Sequence, residues 1–237
     1  NNGVHFVDLC RWLLQKDDLS VPVVSVAGRF EWADDGETPN THIVLWDYKP
    51  APILLELRNL PRAKGDSVVD HFRGVRFGIV IECEHGYFAG GWAYDKEGKK
   101  IKQFLLDDGA GHQANFIKAM RSRNPGDLNA DILEGHLSTA LCLLGNISHR
   151  AGQETSCERI REALRESEPA AEAFERFEQH LVANEIDTSE TCATLGEWLR
   201  YDPSRERFDH LGPTAGLLAN ALLRRSYREP FVMPERV

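Results

Sequence analysis

The sequence predicts an α+β fold: a large, mostly antiparallel open sheet with helices packed on one face, plus a helical insertion near residues 154–184. Three observations predict it. Between Val21 and Trp92 the chain is rich in β-branched and aromatic residues, and the turn clusters that divide it are too short to hold crossover helices. After Gly109 the apolar residues recur at three- and four-residue steps, which is the period of helices. From Glu154 to Asn184 the chain is laced with charge yet keeps Ile160, Leu164, Phe174, Phe177 and Leu181 at helical spacing.

In chain order, Phe6, Val7, Leu9, Cys10, Leu13 and Leu14 make an amphipathic helix over His5 to Gln15, ended by the charged turn Lys16-Asp17-Asp18. Strands follow at Val21 to Trp32, Ile43 to Tyr48, Ile53 to Leu57, Val75 to Cys83 and Tyr87 to Trp92. Turn residues separate them at 34–40, Lys49-Pro50, Lys64-Gly65-Asp66 and Lys96-Glu97-Gly98. Phe116, Ala119 and Met120 mark one helix. Ile132, Leu133, Leu137, Ala140, Leu141, Leu144 and Ile147 mark a longer one that ends near Arg150 and Gly152. The 154–184 segment reads as a surface helical pair, its second helix started by Pro169. A turn at Asp202-Pro203, a short helix around Leu217 to Arg224 and an extended tail complete the chain.

The 237 residues, 42% hydrophobic and 27% charged, are enough for one large domain with its own core. Lys plus Arg number 28 against 37 Asp plus Glu, a net charge of −9 that repels phosphate backbones and argues against nucleic acid as a partner. No apolar run approaches the roughly 20 residues of a membrane span, so no membrane is expected. The cysteines at 10, 83, 142, 157 and 192 are odd in number with no pair two apart, so they read as reduced core residues rather than a disulfide framework or a zinc ribbon. The start at Asn1, without an initiator Met, reads as part of a longer protein, cytoplasmic by default unless an export signal lies upstream.

Few residues carry chemistry by spacing alone. His5, at a helix start with Asp8 one turn on, is a candidate general acid or base, since a free imidazole titrates near working pH. Gly109-Ala110-Gly111-His112-Gln113-Ala114 fits the relaxed G-x-G-x-x-A dinucleotide pattern, but a helix rather than a second strand comes next, so the glycines read as a loop before a helix. Cys83 and His85 share a strand face without the further ligands a tetrahedral ion needs, and no metal is expected. Glu134-Gly135-His136 places a polar pair inside the long helix. Gly-x-Ser-x-Gly, P-loop and His-Glu-x-x-His motifs are absent from the sequence.

Taken in order, several strings make the chain resemble the C-terminal domain of the Gfo/Idh/MocA oxidoreductases over nearly its whole length. They include Asn1-Asn2-Gly3-Val4-His5 running into Asp8 and Arg11-Trp12, Gly28-Arg29-Phe30, and residues 34–41 from Asp34 to Thr41. Further on are His112 with Asn115-Phe116, the run 127–136 from Asp127 to His136, Tyr201-Asp202-Pro203 and Tyr227-Arg228-Glu229-Pro230-Phe231. The resemblance implies a carbohydrate substrate, NAD or NADP held mainly by an N-terminal Rossmann domain not in this chain, and association into a homo-oligomer through the sheet face. The family's Asp-x-Gly-x-His signature falls on Asn1, Gly3 and His5, which makes His5 the implied catalytic base. Asn1 departs from it, because an amide orients substrate by hydrogen bonds but takes no proton. Arg11, Arg29, Asn40, His112 and His136 are candidate substrate-binding residues by polarity and position. The net reaction is left open between dehydrogenation and a redox glycosidase that oxidises transiently, and the chain's role between enzyme half and non-catalytic binding module.

Overall fold

The computed structural model describes residues 2–105, 111–225 and 227–232. In chain order these form α1 (Gly3–Leu14), β1 (Val23–Gly28), β2 (Thr41–Trp46), β3 (Ile53–Arg58), β4 (Val80–Cys83), β5 (Gly86–Ala89), β6 (Trp92–Asp95) and β7 (Lys100–Gln103). Then come α2 (His112–Ser122), α3 (Ile132–Ala151), β8 (Gln153–Thr155), α4 (Cys157–Leu164), α5 (Glu168–Ala183), β9 (Ala193–Leu195) and α6 (Pro213–Leu222). The fold is α+β as expected, and every strand pair is antiparallel, in one sheet ordered β3-β2-β1-β9-β8 and a second ordered β4-β5-β6-β7.

Local chemistry sets the element ends. Asp131 accepts hydrogen bonds from the N–H groups of Leu133 (2.8 Å) and Glu134 (3.2 Å), so α3 begins where two of its orphan donors are satisfied. Pro169 lies in the first turn of α5, where a missing N–H costs nothing. The expected strand Tyr87 to Trp92 is instead two strands, because Gly90 and Gly91 both take positive φ (55° and 83°), the requirement of a two-residue hairpin turn.

The five-stranded sheet is covered on both faces. On one, Val23, Val44, Trp46 and Ile53 pack under Val7 of α1, Leu141, Leu144, Ile147 and Ala151 of α3, and Ala219 of α6. Trp46 is fully buried and donates its indole N–H to the Leu141 carbonyl (3.1 Å). Here α3 lies directly on β2, and a Cβ at Gly145 would stand 2.7 Å from a Val44 methyl, so only glycine permits the approach. On the other face, Val24, Val26, Ile43 and Leu45 pack under Ile160 and Leu164 of α4 and Phe174, Phe177 and Leu181 of α5. The 154–184 segment is therefore half of the core rather than a surface pair. Its charges lie on the outer sides of two amphipathic helices.

Two short strands, β8 and β9, bracket that insertion and pair with each other, joining it to the main sheet through β1. Next to them the structure corrects the reading of the cysteines: Cys157 and Cys192, with Cα atoms 5.1 Å apart, form a disulfide across the base of the insertion. Thirty-five positions separate them, and sequence spacing alone does not register a pairing made by the fold. Cys10, Cys83 and Cys142 are free thiols.

The four-stranded sheet is different. None of its residues joins either core cluster, and among the described residues no helix packs extensively on either face. Tyr87 and Tyr94 stack across strands at 4.7 Å, with the Arg73 guanidinium 4.1 Å from the Tyr87 ring centre, while Phe77, Ile101, Phe104 and Leu105 are exposed.

Candidate functional site

The first turn of α1 carries His5, and its side chain is exposed, so the imidazole is open to solvent rather than packed in hydrocarbon. Its surroundings on the helix surface are apolar. Leu9 and Trp12 follow at i+4 and i+7, and Trp12 is 74% exposed with Leu13 beside it. His112 heads a similar row on α2 with Phe116 and Met120, and on α3 His136 stands among exposed Ile132, Leu133 and Leu143. These three helices thus each present an exposed histidine in an uncovered apolar stripe. No hydrogen bond among the described residues joins the three rings to one another.

The inner side of α1 is anchored by Arg11, which is 2% exposed. Its Nε donates to the Lys16 carbonyl (2.9 Å), Nη1 donates to Ser138 Oγ (2.9 Å) and to the Glu134 carboxylate (3.3 Å), and Nη2 donates to Asp17 (2.9 Å). Ser138 in turn donates to Asp8 at 2.5 Å. This network fixes the rotation of α1 on α3 and so decides that His5 faces outward. It also occupies every nitrogen of the guanidinium, which places Arg11 in the scaffold and not in a substrate contact.

Two further expected substrate residues are likewise internal. Arg29 pairs with Asp34, donates to the Thr38 carbonyl (2.8 Å) and covers the Trp32 ring, stapling the 29–38 loop; the same bonds hold the Asp34 carboxyl below its ordinary range. Asn40, almost fully buried, donates to the Phe30 carbonyl (2.7 Å) and accepts from the Phe30 N–H (3.1 Å), closing the same loop as a backbone residue would. Of the remaining candidates, Asn1 and the first two glycine-pattern residues, Gly109 and Ala110, lie outside the described residues. Glu134 of the helical polar pair serves Arg11, and Cys83 and His85 are exposed with no further ligand near them among the described residues.

Among the described residues two shallow surface clefts stand out, and neither is lined by His5. One, of about 490 Å³, follows the end of α1 and is lined by Lys16, Asp17, Asp18, Tyr48, Lys49 and Arg200 among others. There Tyr48 donates to the Asp18 carbonyl (2.6 Å), and burial with the nearby Asp18 charge pushes its phenol up to about 12. The second, of about 560 Å³, lies between residues 205–213 and α6.

Sequence reasoning missed three histidines with buried ring nitrogens. His42 on β2 and His149 on α3 face each other with ring centres 5.8 Å apart, and His42 Nε2 and His149 Nδ1 have no hydrogen-bond partner. Burial, with the neighbouring His149 adding to it, pushes His42 down to about 3, and burial likewise lowers His149. His180 on α5 is also buried and lowered chiefly by desolvation. Its Nδ1 stands 3.4 Å from Asp70, which pairs with Arg58 (3.2 Å). A lone His in an alternating strand or a charged helix gives no sequence signal that separates burial from exposure.

Comparison of the chain with known protein families, with curated proteins and with solved structures finds no match in any of the three. The class that fold and geometry define is therefore an α+β domain with a two-faced antiparallel sheet and an exposed histidine on a partly uncovered helical surface. The setting of the glycine pattern is not that of a dinucleotide-binding turn. The strand before the glycine pattern, β7, is an exposed edge of an antiparallel sheet, and Asn115 of the following helix is spent on Asp127 and Asn129.

Proposed function

We propose that this chain is the substrate-side half of a nicotinamide-dependent oxidoreductase acting on a sugar or cyclitol, with His5 as its acid–base group. The proposal rests on the sequence resemblance and on one structural observation, the exposed His5 set in the bare Leu9-Trp12-Leu13 stripe of α1. Apolar area of that size on a helix otherwise locked into place favours a cover. A nucleotide-holding lobe docked there would seal the imidazole against a substrate at the junction. Within this chain, the neutral imidazole accepts the proton of a sugar hydroxyl as the carbon beneath it is oxidised, and returns it in the reverse direction. The Arg11 network keeps the helix from rotating the ring away.

Expression from the coding sequence read upstream of Asn1, with a nicotinamide-reduction screen over sugars and cyclitols, tests the reading. Reduction with at least one of them, lowered about 10²–10⁴-fold by His5→Ala with little change in cofactor affinity, is expected. Absence of any reduction, or full turnover in His5→Ala, would overturn it.

A second reading, a binding and self-association module, is favoured by the uncovered four-stranded sheet, with Ile101 of β7 exposed and Phe77, Phe104 and Leu105 exposed on the segments flanking its strands. The five-stranded sheet offers no such face, since α4 and α5 cover it and Trp46 lies inside the core. Sedimentation velocity over a concentration series tests it, a concentration-independent monomer being the contrary result.

A further inference from the structure

Near the disulfide stands a third donor that a disulfide does not need. The Glu178 carboxylate of α5 lies with both sulfurs such that one ligand atom from each of Cys157, Cys192 and Glu178 falls within 4.8 Å of the others. The three come from separate elements: Cys157 from the first position of α4, Glu178 from the middle of α5, and Cys192 from the residue before β9. Cys192 is almost fully buried and tied through its N–H to the Thr155 carbonyl (2.8 Å). Disulfide sulfurs carry no charge and gain little from a carboxylate, whereas two thiolates and a carboxylate are a zinc ligand set.

We infer that Cys157, Cys192 and Glu178 form a redox-gated zinc site, closed as a disulfide when oxidised and holding Zn²⁺ with a water in the fourth position when reduced. Zinc–sulfur bonds of about 2.3 Å in tetrahedral geometry put the two sulfurs ~3.7 Å apart. With Cα atoms at 5.1 Å, rotation about Cα–Cβ reaches that spacing without moving the backbone. Arg161 already donates two hydrogen bonds to Glu178, at 2.6 and 3.0 Å. Its positive charge offsets the single excess negative charge of two thiolates, a carboxylate and a divalent ion, and its grip orients the carboxylate. The chemistry balances: a dithiol reductant supplies two electrons and two protons, the S–S bond breaks, the reductant closes to its own disulfide, and Zn²⁺ then releases both thiol protons to solvent. Either way the base of the insertion stays clamped beside β8 and β9.

The test compares the oxidised chain with the same chain reduced by a dithiol and desalted under nitrogen, each titrated with Zn²⁺ against a chromogenic zinc indicator. The reduced chain is expected to take one equivalent that the oxidised chain does not, and Co²⁺ in its place to show thiolate-to-metal charge-transfer absorption. Glu178→Gln, which leaves the disulfide able to form, is expected to weaken the reduced chain's Zn²⁺ affinity at least ~10-fold. Cys83→Ser is expected to change nothing. Equal uptake by both forms, a Glu178→Gln titration matching the parent, or loss of the equivalent in Cys83→Ser would each overturn the site.

Discussion

Opening the Cys157–Cys192 disulfide should remove a large part of the chain's stability. The bridge closes a loop across a separation of 35 residues, for which chain entropy gives a stabilisation of about 4 kcal/mol. Against a whole-domain stability of roughly 5–15 kcal/mol that is a sizeable share. The Cys157→Ala/Cys192→Ala pair should lose the same amount plus up to ~1 kcal/mol for the gap left where the buried Cys192 sulfur packed. Urea unfolding followed by tryptophan emission, with a metal chelator present, measures both. Reduction should move the midpoint and leave the slope rising, since the unfolded loop becomes longer and more exposed. The loss should begin at β8 and β9, whose amides would exchange with solvent before those of β1 and β2. A reduced chain unfolding within ~0.5 kcal/mol of the oxidised one would refute the argument that the bridge restrains the insertion.

Two glycines of α3 should respond in opposite directions. Gly135→Ala meets open space and should stabilise by up to ~1 kcal/mol through helix propensity, whereas Gly145→Ala drives a methyl against Val44 and should destabilise by a net ~1–2 kcal/mol, both read by thermal melting. Arg11→Met keeps the aliphatic stem but strips the α1–α3 network. Its carboxylate partners are half exposed or more and recover water, so the expected loss is ~2 kcal/mol, read as a fall in the urea midpoint. For His42 the folded-state pKa, about 3, lies below the ordinary 6.5, so the unfolded chain binds the extra proton. Stability from the neutral ring is fully present above about pH 6.5 and is lost as pH falls towards 3, by an order of a few kcal/mol. His42→Leu should flatten urea midpoints measured across that window, and an unflattened profile would acquit this ring.

Much of the fold was legible because periodicity reports burial. The α3 stripe, from Ile132 to Ile147, matches a helix running Ile132–Ala151, and the strands at 43–48 and 53–57 fall on β2 and β3. What stayed hidden lacked a local period. Strands of three residues such as β8 and β9 complete no alternation, and the Cys157–Cys192 pairing depends on where the fold brings two distant residues. Charge misled at the insertion, where abundant Glu and Arg masked the buried sides of α4 and α5. At the candidate site, Arg11, Arg29 and Asn40 have the residue types that bind sugars, but polarity does not tell a free donor from one consumed inside the chain.

The double cover of the five-stranded sheet has a consequence for how such a domain can be remodelled. Excising residues 157–191 would do more than trim an appendage. It would strip Val24, Val26, Ile43 and Leu45 bare at once, turning a sealed wall into an adhesive one. The insertion acts as an inbuilt shield that replaces a neighbour. A lineage could shed it only by recruiting another molecule to the vacated wall in the same step.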